Sequence, residues 1–361
     1  MGFSCGIIGL PNSGKSTVFN ALTALCVAAQ PYPFCTIDPN VGVVPVPDAR
    51  LAALARLVKP EKVTPTTIEF VDIAGLIKDA HKGEGLGNKF LGHIRAVDAI
   101  AHVVRCFHAE NVPHVYEDID PARDAEVVET EIIISDLELV EERLHKLERL
   151  ARVSKEKHEA EQQVLLRLKE ALSRGEFVHT GDLSPAELEL VRSFSLITTK
   201  PLFYIANIDE KDLGKDGPAD LKALARNGRA VVSISGRLEE ELASLPEEEM
   251  GSFMELYGMK ERGIERVITA GYAILGLITF YTLVGKELRA WTIAKQTTVH
   301  AAAGKIHTDM QRGFIRAEVI SYDDFVACGS EHAAREKGLI SIEGKEYIVR
   351  DGDILHIRFN V

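Results

Sequence analysis

The sequence predicts an α/β sheet domain that carries an inserted helical hairpin and is followed by a small α+β domain. Three features of the chain lead to this prediction. The segment Gly9–Thr17 lies between an apolar run and a helical stretch. Apolar residues then recur at three- and four-residue steps after Pro121, which is typical of long helices. Short apolar runs separated by turn residues fill 278–361 and indicate strands.

Length and composition favour several folded domains and argue against a strongly basic binding protein. A chain of 361 residues exceeds what one hydrophobic core supports, and its 46% hydrophobic content can fill two or three cores. The formal net charge of -12 argues against coating a nucleic acid by bulk charge. We therefore expect no DNA partner, and any RNA contact has to be local.

Cysteine usage and the N-terminus indicate a cytoplasmic protein. The five cysteines are scattered and never spaced C-x-x-C, which favours reduced thiols; they are Cys5, Cys26, Cys35, Cys106 and Cys328. No apolar run reaches the roughly 18 residues that a membrane span needs. The N-terminus has no basic segment followed by an apolar core, so we expect neither secretion nor membrane insertion.

The segment Gly9–Thr17 matches the phosphate-loop pattern G-x-x-x-x-G-K-[ST]. Its glycines let backbone N–H groups converge on phosphate oxygens, and the N-terminus of the following helix attracts the same anion. We expect Lys15 to bridge the β- and γ-phosphates and the Ser16 hydroxyl to bind Mg²⁺. The other predicted contacts of this loop to the nucleotide are Asn12, Ser13, Gly14 and Thr17.

A second motif typical of nucleotide-binding proteins lies at the C-terminal end of the strand predicted at 66–73. Asp72–Gly75 has the pattern D-x-x-G, in which the Asp holds Mg²⁺ and the Gly75 N–H approaches the γ-phosphate. The glycine-rich stretch 78–88 follows, and it is either a segment that orders around the γ-phosphate or a solvated loop. Further strands of the same sheet are predicted at 41–46, 97–104, 201–208 and 231–235.

Long helices interrupt this sheet domain after residue 121. Their apolar seams are Ile133, Leu137, Val140, Leu144, Leu147 and Ala151, then Leu165, Leu168 and Leu172. A turn near 153–157 would fold them into an antiparallel hairpin, which is either a stabilising appendage or an arm for a large partner. The predicted domains are 1–120 with 200–277 for the sheet, 121–199 for the hairpin, and 278–361.

Residues 239–249 predict an acidic helix whose carboxylates form a solvated face, and a further helix follows at 263–276. The strands predicted for the C-terminal domain are 278–283, 288–293, 314–320, 347–349 and 354–359. This domain carries equal numbers of basic and acidic residues, so the acidity of the chain lies before it.

These motifs together resemble the YchF family of Obg-like ATPases, within the P-loop GTPase class. The resemblance covers essentially the whole chain and rests on 9–17, 33–36, 72–76, 83–90, 207–210 and 303–309. It implies a G domain interrupted by a coiled-coil hairpin, a C-terminal TGS domain of β-grasp type, and a role connected with ribosomes. It also implies that Thr36 is the switch residue that ligates Mg²⁺. Asn12 resembles a K⁺-binding asparagine, although an amide that stabilises the loop explains it equally well.

The base-reading segment departs from that of ordinary GTPases. In N-K-x-D the final Asp accepts hydrogen bonds from guanine, whereas here Asn207–Glu210 ends in Glu. A longer carboxylate relaxes the guanine requirement, and the resemblance implies that ATP is accepted and preferred over GTP. We expect Asn207 to orient the base, with contacts from Ile208, Ser233 and Ser235.

The second departure is Leu76, which stands where Ras-like proteins have the glutamine that positions the attacking water. Leucine cannot orient water, so another group or a partner has to complete the site. His114 matches a family histidine proposed for this task, since imidazole can hydrogen-bond water near neutral pH. The alternative is that His114 is an ordinary exposed loop residue.

One basic stretch of the C-terminal domain is a candidate RNA surface or a solvated face; it contains Lys305, His307, Arg312 and Arg316. The sequence as a whole predicts a Mg²⁺-dependent ATPase that cleaves the β–γ bond and couples nucleotide state to ribosome binding. Two alternatives stay open: a conventional GTP-dependent switch, and a nucleotide-gated binding module in which hydrolysis is incidental.

Overall fold

The computed structural model describes residues 3–28, 40–73, 86–109, 111–151, 155–214, 221–222 and 229–360. It confirms an α/β sheet, a helical insertion and a second sheet near the C-terminus. In these ranges no helix combines the length and the apolar character that crossing a membrane requires.

The described strands are β1 Ser4–Ile8, β2 Val41–Pro45, β3 Lys62–Thr64, β4 Thr67–Asp72, β5 Ala99–Cys106, β6 Leu202–Ile208, β7 Val231–Ile234, β8 Leu277–Val284, β9 Glu287–Ala294, β10 Phe314–Ile320, β11 Ser341–Glu343 and β12 Ile354–Phe359. The described helices are α1 Lys15–Ala28, α2 Ala49–Val58, α3 Leu86–Ala96, α4 Pro121–Ala151, α5 Lys155–Ser173, α6 Pro185–Phe194, α7 Gly236–Ser244, α8 Glu247–Leu256, α9 Gly263–Ile274, α10 Val299–Ile306, α11 Thr308–Arg312, α12 Tyr322–Cys328 and α13 Glu331–Glu336. Short 3₁₀ turns lie at Thr180–Asp182, Ile197–Thr199 and Glu210–Asp212.

The first sheet has the strand order β2-β4-β1-β5-β6-β7. β1 pairs in parallel with β4 and with β5, and the pairs β5–β6 and β6–β7 are also parallel. Their carboxyl ends therefore meet at one edge of the sheet. The phosphate loop follows β1, Asp72 ends β4 and Asn207 lies at the end of β6, so the sheet order brings three predicted site segments together.

The described chain divides into two compact units. One unit contains 3–42 and 69–267, and the other contains 43–68 and 268–361. The chain passes between units within β2, within β4 and within α9. The predicted boundaries place 43–68 with the nucleotide-binding sheet, whereas in the structure these residues belong to the same compact unit as the C-terminal residues.

Specific contacts join residues 43–68 to the C-terminal residues of the second unit. Its sheet has the order β11-β10-β12-β8-β9-β3, so the short strand β3 from the N-terminal part of the chain forms one edge. Asp48 caps α2 and accepts a hydrogen bond from the Tyr281 hydroxyl at 2.5 Å. Arg50 forms a bidentate ion pair with Asp351, at 2.9 and 3.1 Å. Sequence periodicity does not report contacts between segments more than 200 positions apart.

The helical hairpin of α4 and α5 confirms the predicted seam. Four of the seam residues of α4 are buried against three from α5; they are Ile133, Val140, Leu144 and Leu147, and Leu165, Leu168 and Leu172. Leu137 is partly buried in the same cluster. At about 1.5 Å per residue, the 31 residues of α4 span roughly 46 Å.

Two predicted elements differ in the structure. The acidic helix at 239–249 is two helices, because Pro246 separates α7 from α8. Glu239 is buried rather than solvated: its carboxylate accepts from the Gly263 N–H at 2.6 Å and pairs with Arg262 at 3.3 Å. Residues 347–349 form only an isolated bridge between Ile348 and Thr298, while β11 pairs with β10 instead.

Asp136 is a buried carboxylate that joins α4 to the rest of the first unit. It is fully buried, and it accepts hydrogen bonds from the Thr198 N–H at 2.7 Å and the Thr198 hydroxyl at 2.9 Å. The Arg95 guanidinium lies 2.9 Å from its other oxygen. Removing this carboxylate would leave the Thr198 N–H without its acceptor. The Arg95 guanidinium would keep its hydrogen bonds to the Ser195 carbonyl and the Ser135 hydroxyl but would lose its opposite charge.

We expect Asp136→Ala to lower the free energy of unfolding by about 3 kcal/mol, because breaking a buried ion pair strands the remaining charge. Urea denaturation followed by circular dichroism measures this change. Glu142→Ala is the matched control, because Glu142 lies on the same helix and pairs with Lys146 at the surface. Equal stability losses in the two variants would contradict the assigned role of Asp136.

Candidate nucleotide site

The phosphate loop has the backbone conformation that its glycines predict. Gly14 has φ +96°, and a Cβ there would lie 2.1 Å from the Asn207 side-chain nitrogen. Gly9 has φ +152°, and a Cβ there would lie 2.3 Å from the Val103 carbonyl oxygen. Both positions therefore exclude a side chain. α1 begins directly at Lys15, so its N-terminus faces the loop as an anion site requires.

Lys15 is folded onto its own loop. Its ammonium donates hydrogen bonds to the carbonyl oxygens of Gly9 at 3.1 Å and Leu10 at 2.8 Å, and the residue is 8% exposed. Burial lowers the pKa of Lys15 to about 8, and the nearby Asp72 carboxylate opposes this shift. A bound polyphosphate would supply the negative charge that this buried ammonium lacks.

Ser16 and Asp72 form a pair of oxygen ligands suited to a divalent cation. The Ser16 hydroxyl donates to one Asp72 oxygen at 3.4 Å, although the two residues are 56 positions apart. The other Asp72 oxygen is buried and accepts no hydrogen bond from the described residues. Burial raises the pKa of Asp72, while Lys15 and Ser16 lower it. Hard oxygen donors and an unused carboxylate oxygen fit Mg²⁺.

Asn207 connects the phosphate loop to the segment that follows β7. Its amide nitrogen donates to the Ser13 carbonyl at 3.1 Å, and its amide oxygen accepts from the Gly236 N–H at 2.9 Å. Asn207 is 5% exposed. The loop and the start of α7 are thus held at a fixed separation.

The predicted base-side residues differ in their surroundings. Glu210 begins a 3₁₀ turn, and its carboxylate lies 3.6 Å from the Arg237 guanidinium. Ile208 is buried in the sheet core. Ser235 caps α7, its hydroxyl accepting from the Leu238 N–H, while the Ser233 carbonyl accepts from Arg266. The Ser235 hydroxyl is therefore already used within the protein.

His114 is buried and fully hydrogen-bonded. Its Nε2 lies 2.8 Å from an Asp124 carboxylate oxygen, and its Nδ1 accepts from the Tyr116 N–H at 3.1 Å. Its side chain is 7% exposed and that of Asp124 is 4% exposed. The interpretation of His114 as an exposed loop residue is wrong, since an acid on the first turn of α4 holds it.

The loop that carries His114 is tied to its surroundings from two sides. Arg105, 2% exposed, donates hydrogen bonds to carbonyl oxygens of this loop; they belong to Phe107, Ala109, Val112 and Pro113. The Asn12 amide of the phosphate loop donates to the Pro113 oxygen at 3.0 Å. Asn12 has a left-handed backbone, φ +61°. A change in the phosphate loop can therefore reach the His114 loop directly.

Other predicted residues are separate from this site or lie outside the described ranges. Thr36, Gly75 and Leu76 fall in stretches that the structure does not describe. Thr17 follows Ser16 on α1. The four C-terminal candidates all have exposed side chains in the second unit; they are Lys305, His307, Arg312 and Arg316. His307 also caps α11, since its ring accepts from the Asp309 N–H at 3.2 Å.

Three residues of the site were not predicted from the sequence. Asp124 lies in the first turn of a helix, where an acid is expected for helix stability alone. Arg105 lies near the end of a buried strand, and a single cation in an apolar run was the only feature of the sequence that could have indicated its role. His102 is buried in the middle of the same strand, and burial, reinforced by Arg229 and Lys15, lowers its pKa to about 3. His102 is therefore neutral near pH 7.

Comparisons with known proteins agree with this geometry. The family model described as 50S ribosome-binding GTPase matches residues 4–165, and the YchF GTPase C-terminal model, described as a protein of unknown function, matches 277–360. The chain is 47% identical to a protein of Haemophilus influenzae and 48% identical to one of Haemophilus ducreyi, with complete coverage of both chains in each case. Both relatives are named ribosome-binding ATPase YchF.

A solved structure gives the same result for the fold. The YchF GTPase of Schizosaccharomyces pombe is 36% identical to this chain, with a TM-score of 0.89 over 99% of this chain and 97% of the other. This protein is called a GTPase, whereas the two Haemophilus proteins are called ATPases. The phosphate loop, the sheet order and full-length similarity agree, and the chain belongs to the YchF family of P-loop nucleoside triphosphate hydrolases.

Proposed function

We propose that this protein is a cytoplasmic, Mg²⁺-dependent ATPase that cleaves the β–γ phosphate bond of ATP and uses the nucleotide state to regulate its binding to ribosomes. The observation that carries the proposal is the convergence of Lys15, Ser16 and Asp72 at the N-terminus of α1. The names of the full-length relatives support both the nucleotide and the ribosome as partners.

The residues of this chain divide the chemistry among them. Lys15 and the N–H groups of the phosphate loop stabilise negative charge on the phosphoryl oxygens as it redistributes during in-line attack by water. Ser16 and Asp72, with Thr36 as the resemblance implies, would hold Mg²⁺, and the ion would neutralise phosphate charge. From the D-x-x-G pattern, Gly75 would offer a backbone N–H to the γ-phosphate. Asn12 remains a candidate K⁺ ligand, alongside its hydrogen bond to the His114 loop.

The nucleotide preference rests on Glu210 and its neighbour. In an N-K-x-D site the carboxylate accepts from the donors of guanine, but here the Glu210 carboxylate lies beside the Arg237 guanidinium. A carboxylate already paired with a cation gains less from guanine. Adenine presents an acceptor at N1 and no 2-amino group, so ATP loses nothing from this pairing. Asn207 and the backbone near Ile208, Ser233 and Ser235 complete the base pocket.

We expect the nucleotide-free protein to bind ATP more tightly than GTP, and Glu210→Asp to shift the affinity ratio toward GTP by about tenfold, or 1.4 kcal/mol. The shorter side chain withdraws the carboxylate from Arg237 and restores the acceptor found in GTPases. Calorimetry with Mg²⁺ and K⁺ present measures both affinities.

Glu241→Asp is the matched control, because Glu241 also pairs with Arg237, at 3.1 Å, but does not belong to the base-reading segment. The control is expected to keep the wild-type ratio. A wild-type preference of tenfold or more for GTP would overturn the proposed specificity and indicate a conventional GTPase switch.

We expect the triple variant Lys305→Ala, Arg312→Ala, Arg316→Ala to bind ribosomes more weakly, with a salt dependence reduced by about two units of slope. Each phosphate contact that is lost lowers the number of counterions released on binding, and the salt dependence of the affinity reflects that number. Sedimentation binding with purified ribosomes over a salt series measures the slope. The control replaces three exposed lysines of the same unit by alanine and so removes the same amount of positive charge; they are Lys295, Lys337 and Lys345. An identical slope in the two triple variants would eliminate this surface.

We expect His114→Ala to lower the maximal rate of ATP hydrolysis about 100-fold, the usual size of a general acid–base contribution, with the ATP affinity unchanged. Single-turnover hydrolysis measures the rate. His108→Ala is the control, because His108 is an exposed histidine of the same loop. If His114→Ala hydrolyses ATP at the wild-type rate, both alone and with ribosomes, His114 does not orient the attacking water.

A further inference from the structure

Helix α8 and the residue after it carry a row of apolar side chains that the rest of the described chain covers incompletely. Phe253, Leu256 and Tyr257 stand three and four positions apart, so they lie on one side of the helix. The Phe253 and Tyr257 ring centroids are 5.1 Å apart. Leu256 is 78% exposed, more than any other large hydrophobic residue that the structure describes. A single exposed leucine is ordinary, but this one continues an apolar row.

Methionine is concentrated on the same short segment. The chain has five methionines, and three of them lie within ten residues and are partly exposed; they are Met250, Met254 and Met259. The Met259 N–H donates to the Met254 carbonyl oxygen at 2.9 Å, so the turn after α8 brings Met259 back to the helix end. Flexible, polarizable methionine side chains adapt to the shape of a partner. The α8 surface consists of these three methionines with Phe253, Leu256 and Tyr257.

The protein itself stabilises α8 only weakly. From 248 to 260, no residue is buried against the rest of the described chain. The helix begins after Pro246, whose side chain cannot cap it. Segments with partial burial and uncapped ends open at low cost in free energy. A partner that covered the apolar row would therefore order and stabilise this helix.

The α8 surface has a strongly negative rim. Residues 240–261 contain seven glutamates and one lysine, a formal charge of -6, which is half of the net charge of -12 of the whole chain. Glu248, Glu249 and Glu255 are exposed, and none of the three forms an ion pair with a described residue. Their charge is therefore available to a cationic partner.

Helix stability does not account for all of this charge. Glu248 and Glu249 lie in the first turn of α8, where carboxylates stabilise the positive end of the helix dipole. Glu255 lies in the last turn, where the dipole favours cations, and this turn has no basic residue. A residue that opposes local stability in this way is typical of a functional surface.

We propose that the α8 surface is a docking site for a basic amphipathic segment of a partner protein. The segment is a helix with lysines or arginines on one face and aliphatic side chains on the other. Its aliphatic face would cover the row around Leu256, and its cations would lie against the glutamates of the rim. This assignment does not depend on ATP hydrolysis, since it uses no residue of the nucleotide site.

The charge of the rim argues against the other two classes of occupant. A nucleic acid would bring its phosphates against unpaired carboxylates, and the two would repel each other. A second copy of this chain, docked by a two-fold axis, would bring one acidic rim against another. A cationic protein segment is the occupant whose charge complements the surface.

The first test uses a defined probe and the full-length protein. The probe is a fluorescently labelled peptide of about 18 residues, with lysines on one helical face and leucines at three- and four-residue spacing on the other. We expect a scrambled peptide of the same composition to bind at least about tenfold more weakly, because it cannot present an apolar face. Fluorescence anisotropy measures both dissociation constants. Equal binding of the two peptides would mean attraction by charge alone and would overturn the proposal.

Two variants test the apolar row. Leu256→Ser is expected to weaken binding of the amphipathic peptide about tenfold, because it removes the most exposed apolar anchor. Its exposure means that the substitution leaves the fold intact. Leu166→Ser is the matched control, since Leu166 is a 51% exposed leucine of α5. Equal weakening in the two variants would show that the peptide does not recognise the α8 surface.

Glu255→Gln tests the rim without loss of helix stability. Removing a charge that opposes the helix dipole is expected to leave the thermal stability of the protein unchanged or higher. Binding of the peptide is nevertheless expected to weaken about threefold, and about tenfold when Glu248→Gln and Glu249→Gln are added. The control removes three exposed glutamates of α4, through Glu138→Gln, Glu142→Gln and Glu148→Gln. Wild-type binding by the triple variant of the rim would contradict the proposal.

Hydrogen exchange locates the bound peptide on the protein. With the amphipathic peptide at saturation, we expect slower exchange in 247–260 and unchanged exchange in α4 and α5. Protection elsewhere without protection of α8 would overturn the assigned site. Two other results would replace the occupant: protection of α8 by a single-stranded RNA oligonucleotide, or a dimer of the protein alone that Leu256→Ser abolishes in analytical ultracentrifugation.

Discussion

The site depends on the close approach of the Asn207 amide to the phosphate loop at Gly14. The space there excludes even a methyl group, since a Cβ would lie 2.1 Å from the amide nitrogen. Because the same amide also holds Ser13 and Gly236, one side chain at the end of β6 sets the distance between the phosphate loop and the base side. This works only because the sheet order places β6 next to β5, which pairs with β1. The order of the strands thus brings Asn207 against Gly14, and this contact fixes the position of the phosphate loop.

Burial around this contact determines which charges the site can offer. Lys15 is held close to two carbonyl oxygens, and burial lowers its pKa to about 8. Burial raises the pKa of Asp72, whose free oxygen stays available to a cation. A triphosphate with its metal would bring the opposite charge to each of these groups. His114 shows the other use of burial, since its contact with Asp124 satisfies the ring without any ligand.

The second unit is built from segments that are distant in the chain. Residues 43–68 supply α2 and the edge strand β3, and Asp48 and Arg50 connect them to Tyr281 and Asp351. Leu51 and Leu54 are buried in the same apolar cluster as Tyr281, Leu288 and Phe325. The chain therefore leaves the nucleotide-binding unit between its phosphate loop and Asp72, and returns to it. Residues 43–68, which lie between the phosphate loop and Asp72 in the chain, are therefore a structural part of the second unit.

The sequence by itself determined the features that depend on neighbours along the chain. The phosphate loop, the seam from Ile133 to Leu147 and most strands follow from local periodicity and turn chemistry. Only the tertiary structure decided the partners of side chains, because hydrogen bonds join residues whose separation in sequence carries no pattern. Asp124 holding His114, Glu239 buried against Gly263, and β3 joining β9 are of this kind. The motifs were therefore visible from the sequence, whereas the contacts that restrain them were fixed only by folding.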